Sequence, residues 1–295
     1  IKTYQVALGP AIGWTQEGME AMDGPINFGD RDKWWGLMVE GNDREPMYGM
    51  SFNPSYYETL LTNYGFKNYY NQYYYRKNLL TPLPARFEER YHKFKSKPDY
   101  TAVHLDKKHL EKYAQDFVTI YNSAWAQHGE EKAITLPQII KLFNSLKAVM
   151  DERVIWFAYY KEEPIAMFIN IPDVNQYFKY FNGALGLWQK LHLLWMKWTG
   201  QNNKLTGLAF GVVPKYQALG IDSFLINSCH ILLNKIKLYD EYEMGWAGDW
   251  NPKMVNIYKS LDANPSRRMV TFRYIFDAKS HPFERHPIME YKTGG

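Results

Sequence analysis

Between residues 100 and 276 the chain alternates continuous apolar runs with apolar stripes at helical spacing. Tyr100 to Leu105 (YTAVHL) predicts a first strand. Residues 106–127 place Leu110, Tyr113, Phe117, Ile120, Tyr121 and Trp125 three or four apart, the spacing of one helix face. Thr135 precedes a second helical stretch, LPQIIKLFNSLKAVM; Pro137 is tolerated there because a first-turn N–H has no partner to lose. VIWFAYY (154–160) and IAMFINI (165–171) flank Lys161-Glu162-Glu163-Pro164 and predict a hairpin whose continuous runs suit a sheet covered on both faces. KLTGLAFGVV (204–213) predicts a strand and FLINSCHILLNKI (224–236) a helix. EYEMGWAG (241–248), a helix from Pro252 to Leu261 and the strand RMVTFRYIF (268–276) complete an α/β pattern.

The first hundred residues echo the end of that pattern. Met47 to Tyr75 and Met244 to Phe276 each read as a short strand, an Asn-Pro helix start, a turn and an aromatic strand. Asn53 falls opposite Asn251, and Leu60 opposite Tyr258. Such self-similarity points to duplicated architecture. IGWTQEGMEAMDGPINF (12–28) reads as a helix end and a strand, so residues 1–85 look like the back half of a first copy. Residues 86–99 lie in a Pro-flanked, mixed-charge stretch and read as a linker. The division expected is thus a partial domain at 1–85, a complete one at 100–277, and a tail at 278–295.

Composition narrows the function only in places. A chain of 295 residues suits about two domains. A net charge of +4 is too small to argue for nucleic acid, and the tyrosine-rich run from Tyr69 to Tyr75 reads as a strand with alternate rings in core and solvent. The lone cysteine, Cys229, forbids an intrachain disulfide and suits a cytoplasmic protein. No apolar run is long enough to span a bilayer. His281, Glu284 and His286 are not spaced as a metal site, so no metal is expected. Leu185 to Trp198 puts Trp188, Leu191, Trp195 and Trp198 on one helical stripe, read as an insertion that covers the acceptor pocket or packs on the other domain, ahead of an interfacial amphipathic helix.

The chemistry concentrates in Leu208 to Ser223. An apolar strand ends at Val212-Val213-Pro214, a short loop follows, and Gly220-Ile221 opens a helix. A strand, tight turn and helix start present unpaired N–H groups to an anion. Val213-Pro214-Lys215-Tyr216-Gln217, with Gly220 after it, resembles the pyrophosphate loop of GNAT-superfamily N-acyltransferases. Asp222 departs from it, standing where the pattern has a small neutral residue.

The resemblance implies a GNAT-like mixed sheet flanked by helices and an acetyl-CoA or coenzyme A thioester as donor substrate. Amides of Gln217, Ala218, Leu219, Gly220 and Ile221 would hold the pyrophosphate. Main-chain groups of Val212 and Val213 would pair with the pantetheine arm, and Val213 would supply an oxyanion donor. Asn251 and Tyr258 resemble the family's Asn-x-x-Ala-x-x-x-Tyr, with Met254 in place of Ala. Tyr258 would then protonate the leaving thiolate, with Asn251 beside the donor. The acceptor is an amine, small-molecule or peptide, and Glu163, Glu243 and Asp249 are candidate bases. In the first turn, Asp222 is expected to accept the loop N–H groups itself and to repel phosphate. Two like charges ~4 Å apart at an effective dielectric of ~20 cost about 4 kcal/mol. Two readings stay beside acyl transfer from acetyl-CoA. One is a non-catalytic binding protein on the same scaffold; the other is a Fem-type or long-chain transferase with a different acyl donor.

Overall fold

The computed structural model describes residues 18–25, 36–125 and 133–289. The helix end expected before Gly18, the last residues of the 12–28 stretch and the end of the tail lie outside them. In chain order the elements are β1 (Ala21–Gly24), β2 (Leu37–Glu40), α1 (Tyr57–Tyr64), β3 (Lys67–Asn78), α2 (Ala85–Lys95), β4 (Tyr100–His104), α3 (Leu110–Trp125), α4 (Leu136–Leu146), β5 (Ile155–Tyr160), β6 (Glu163–Pro172), α5 (Asn175–Phe178), α6 (Leu187–Trp198), β7 (Lys204–Val212), α7 (Ile221–Ile236), β8 (Glu241–Gly248), α8 (Pro252–Ser260) and β9 (Asn264–Ile275). The described strands pair both parallel and antiparallel and helices flank them, the α/β class the pattern predicts.

The chain divides into two compact units, a smaller one of Ile1–Tyr75, Trp246–Ile257 and Pro265–Gly295, and a larger one of Arg76–Gly245 and Tyr258–Asn264. In the larger unit the strands lie in the order β8-β7-β6-β5-β4. The expected hairpin is β5 and β6, paired from Ile155↔Ile169 to Tyr160↔Glu163 and buried along nearly its whole length. Thr135 and Gln138 close a capping box at the start of α4, so two otherwise orphaned groups bond each other's backbone. Phe117 of α3 and Phe143 of α4 meet edge to face at 5.9 Å between ring centres.

Residues 86–99, expected as a linker, contain helix α2. Its Phe87 and Phe94 are buried, and Phe94 and Tyr91 lie 5.7 and 5.9 Å from the Phe224 ring of α7. Phe87, Tyr91 and Phe94 recur at helical spacing, but four charged residues and His92 fill the positions between them and mask the stripe.

In the smaller unit β9 is the common partner. It pairs antiparallel with β1 from Ala21↔Ile275 to Gly24↔Phe272, and with β2 at Leu37↔Val270 and Met38↔Met269. Successive β9 side chains point to opposite faces. Met269 therefore joins Met38, Met47, Met50 and Tyr74, whereas Val270 and Phe272 join Leu37, Leu61 and Phe66. β9, which the sequence pattern attaches to the 100–277 stretch, thus builds both cores of the smaller unit.

β3 is buried on both faces at Tyr70, Tyr74 and Tyr75, so its tyrosines do not alternate with solvent. The short strand expected near Met47 is absent, since residues 47–52 form turns and irregular chain. The matched asparagines also do different work. Asn53 clasps β2, accepting from the Met38 N–H at 2.9 Å and donating to the Met38 carbonyl at 3.1 Å. Asn251 instead accepts from the Met254 N–H at 3.1 Å, capping α8.

Candidate functional site

Strand β7 has β6 on one side and β8 on the other, and the two pairings end differently. The parallel pairing with β8 runs through Lys204↔Glu241, Leu205↔Tyr242 and Thr206↔Glu243 and stops there. The pairing with β6 continues to Ala166↔Val212. Along it Ile169 faces Ala209 and Asn170 faces Gly207, so Leu208 is an extra residue, a bulge placed where β8 departs. Two glycines mark this fork. A Cβ on Gly207 would fall 2.6 Å from the Tyr242 hydroxyl oxygen, and one on Gly245 would fall 3.0 Å from the Gly207 carbonyl.

Past the fork, register decides which main-chain groups look into the gap. The Val213 N–H donates to the Ile165 carbonyl at 2.9 Å, and the Val213 carbonyl accepts from the Tyr216 N–H at 2.8 Å. Both groups of Val213 are spent, so the oxyanion and pantetheine roles expected of it are corrected. In an antiparallel ladder successive residues turn to opposite sides. Phe210 and Val212 therefore aim their N–H groups away from β6, on the side β8 has left. Gln217 closes over the strand end, its side-chain amide donating to the Val212 carbonyl at 3.0 Å.

The loop then enters α7. Ala218 and Gly220 take left-handed conformations, with φ of 61° and 98°, while Gln217 is extended with ψ of 157°. The Gln217 N–H donates to the Pro214 carbonyl and the Phe224 N–H to the Gly220 carbonyl. Between them, the N–H groups of Ala218, Leu219, Gly220, Ile221, Asp222 and Ser223 meet no acceptor among the described residues. No side chain caps the helix. These donors stand at the positive end of a 16-residue helix dipole, which favours negative charge.

Two charged residues flank these donors. Asp222 is half-buried, and its carboxylate accepts none of the loop N–H groups, so the expected self-capping is not what the structure shows. The reason is positional: Gly220 is the cap, and it is the cap side chain that is placed to accept from the second or third N–H of the helix. Arg90 of α2 is the residue the sequence reading missed. Its Cδ would lie 3.1 Å from a Cβ on Gly220, and its Nη1 donates to the Ser223 hydroxyl at 3.2 Å. A guanidinium at a helix N-terminus is disfavoured by the dipole, and an anion between the two reverses the sign.

Tyr258 is buried beside the fork, its hydroxyl donating to the Gly245 carbonyl at 2.7 Å. Asn251 belongs to the smaller unit, where it caps α8. The three acids separate clearly. Glu163 accepts from the Tyr216 hydroxyl at 2.9 Å; burial first, and then Glu163, raises the tyrosine's pKa. Asp249, in the smaller unit, binds Asn71 at 2.7 Å and Arg285 at 2.6 Å. Glu243 is fully buried at the last rung before the fork, its carboxylate 3.0 Å from Lys204 Nζ.

A cavity of about 260 Å³ lies at the other end of β7, among residues that include Lys107, Asp151, Arg153, Lys197, Asn202 and Tyr239. It contains none of the residues assigned from the sequence. Burial pushes the Asp151 carboxyl up, but hydrogen bonds from Arg153 and Tyr239 outweigh this and hold it below the usual range. Helix α6 borders the cavity through Lys197 and packs Leu193 and Met196 on Tyr177 and Phe181. Cys229 is buried, which drives its thiol pKa upward. Among the described residues no three His, Cys, Asp or Glu side chains are grouped to hold a metal ion, and no helix is long and apolar enough to cross a membrane.

No family model matches the chain. It is similar to the bacterial ceramide synthase of Caulobacter vibrioides, 24% identical over 265 residues that cover 88% of this chain and 68% of that protein. It is also similar to protein YghO of Escherichia coli, 22% identical over 275 residues, 90% of this chain and 69% of the relative. Among solved structures it resembles a GCN5-related N-acetyltransferase from Sphaerobacter thermophilus, at a TM-score of 0.48 and 12% identity, over 75% of this chain and 56% of the other. The chain thus spans just over two thirds of those curated relatives and little more than half of that structure.

Proposed function

We propose that the larger unit transfers an acyl group from a coenzyme A thioester, acetyl or longer, to a primary amine. The observation that carries this reading is the run of six uncommitted N–H groups from Ala218 to Ser223, beside Arg90 and next to a fork where β8 leaves β7. The run suits a pyrophosphate. The fork suits the pantetheine arm, whose amides would meet the outward main-chain groups of Phe210 and the outward N–H of Val212. The amine nitrogen attacks the thioester carbonyl, forming the C–N bond. An N–H from the bulged stretch, at Phe210 or Val212, stabilises the oxyanion, an interaction whose loss costs about 3 kcal/mol in acyl-transfer enzymes. Collapse breaks the C–S bond, and Tyr258 delivers its proton to the thiolate, a phenol of pKa ~10 serving a thiol of ~8.5. Glu243 is the buried acid placed to accept the proton lost by the amine.

The name of the Caulobacter relative, bacterial ceramide synthase, supports acyl transfer to nitrogen, ceramide being an amide, and favours an acyl group longer than acetyl. Thermal unfolding with acetyl-CoA, a long-chain acyl-CoA and free coenzyme A tests the donor. A ligand at a hundred times its Kd adds about 2.7 kcal/mol to stability. A rise in Tm with any of the three supports the reading. No rise with all three at millimolar concentration overturns it in favour of a non-catalytic scaffold.

A further inference from the structure

Helix α6 exposes side chains that a helix resting on its own protein buries. Its inner face is Leu193 and Met196, packed on Tyr177 and Phe181. On the outer side Leu187 is 70% exposed, Trp188 79%, Leu194 62% and Trp198 85%, with Leu191 and Trp195 about half exposed. At ~100° per residue, these six side chains fall within an arc of about 120°. Lys190, also exposed, borders the arc on one side and His192 on the other. From Val174 to Asn203 the sequence has no acidic residue, while Lys179, Lys190 and Lys197 carry positive charge.

We infer that this face of α6 docks the protein on an anionic lipid surface. Three facts choose the occupant. Twelve residues are too few to span a bilayer, so an apolar arc on an anchored helix lies flat in the interface. Three exposed tryptophans suit that depth, since indole has an apolar body and one N–H for the headgroup layer. The acid-free segment with its lysines, Lys190 at the edge of the arc, complements anionic headgroups, whereas a second copy docked through the same face would bring like charges together. Docking places the amine or the acyl donor of the larger unit within reach of a membrane, yet the inference needs no catalysis to hold.

The test is sedimentation of the full chain with vesicles of phosphatidylglycerol and phosphatidylcholine, compared with phosphatidylcholine alone. Expected are co-sedimentation with the anionic vesicles, a blue shift of tryptophan emission and partial release in 0.5 M salt. Trp188→Ser combined with Trp198→Ser lowers partitioning by about tenfold or more, with Tm unchanged because both rings are exposed. Lys190→Glu, a second and milder variant, lowers it on anionic vesicles alone. Wild-type protein that stays in the supernatant, or a double variant that sediments equally, overturns the inference. So does a dimer in gel filtration that the same substitutions dissolve, because the face would then belong to a second copy.

Discussion

Arg90 and Asp222 put opposite charges beside the same row of N–H donors, and their substitution should act in opposite directions. A charged hydrogen bond contributes about 1.5–3 kcal/mol, so Arg90→Gln is expected to weaken coenzyme A by roughly 10- to 100-fold. Asp222→Ala removes a half-buried like charge from the neighbourhood of the phosphates and is expected to tighten binding several-fold. Isothermal calorimetry on both variants checks the pair; equal affinities for all three proteins would remove the pyrophosphate from this loop. Tyr258 needs a different readout, because its hydroxyl also holds the Gly245 carbonyl. Tyr258→Phe should cost about 1 kcal/mol of stability and, as loss of a general acid, 10²-fold or more in kcat with KM little changed. A loss confined to Tm would make the hydroxyl a fastener only. Gly220 at the helix start was legible in the sequence because loop geometry is local, whereas the Gln217 N–H, expected among the phosphate donors, is spent on the Pro214 carbonyl. Arg90 was not legible, because 130 residues separate it from Gly220 and its helix carries too many charges to show an apolar stripe.

At the scale of elements the decisive feature is a pairing that stops. The β5–β6 hairpin and the order of β7, loop and α7 follow from local pattern, and the structure has them where the sequence puts them. The departure of β8 from β7 depends on tertiary pairing, which no local pattern records. So does the bulge at Leu208, whose single extra residue sets which groups face the gap. That one position explains why Val213 was assigned a role its N–H cannot take, while Phe210 was passed over. The fork itself is maintained by missing side chains. Gly207→Ala would set a methyl 2.6 Å from the Tyr242 hydroxyl oxygen and 3.4 Å from the Gly245 nitrogen, an overpacking that costs about 1–3 kcal/mol. Tyr242→Phe in the same chain removes the nearest atom and leaves the ring carbon at 3.3 Å. The double variant is therefore expected to recover part of the lost stability, as chemical denaturation of all four proteins would show. Strictly additive losses would mean that the two side chains do not compete for this space.

For the molecule as a whole, the smaller unit poses the harder folding problem. Its strands come from both ends of the sequence, and the pair Ala21↔Ile275 joins residues 254 positions apart (275 − 21). Contacts so distant are slow to form and yield nothing until both ends are in place. One buried side chain ties the stretches together. Arg267 is 2% exposed and donates to the carbonyls of Gly41 and Arg44 at 3.4 Å and of Glu45 at 2.5 Å. Arg267→Met keeps much of the side chain's length and apolar bulk but takes a charged donor from three carbonyls, of which Gly41's keeps the Arg44 N–H, and a charged hydrogen bond contributes about 1.5–3 kcal/mol. The variant is expected to lose several kcal/mol from the smaller unit. Hydrogen exchange would report the loss as faster exchange at the amides of β1, β2 and β9, while those of β5 and β6 keep their protection. If β5 and β6 exchange just as fast, the two units unfold as one cooperative body, and Arg267 stabilises the whole chain rather than the part it touches.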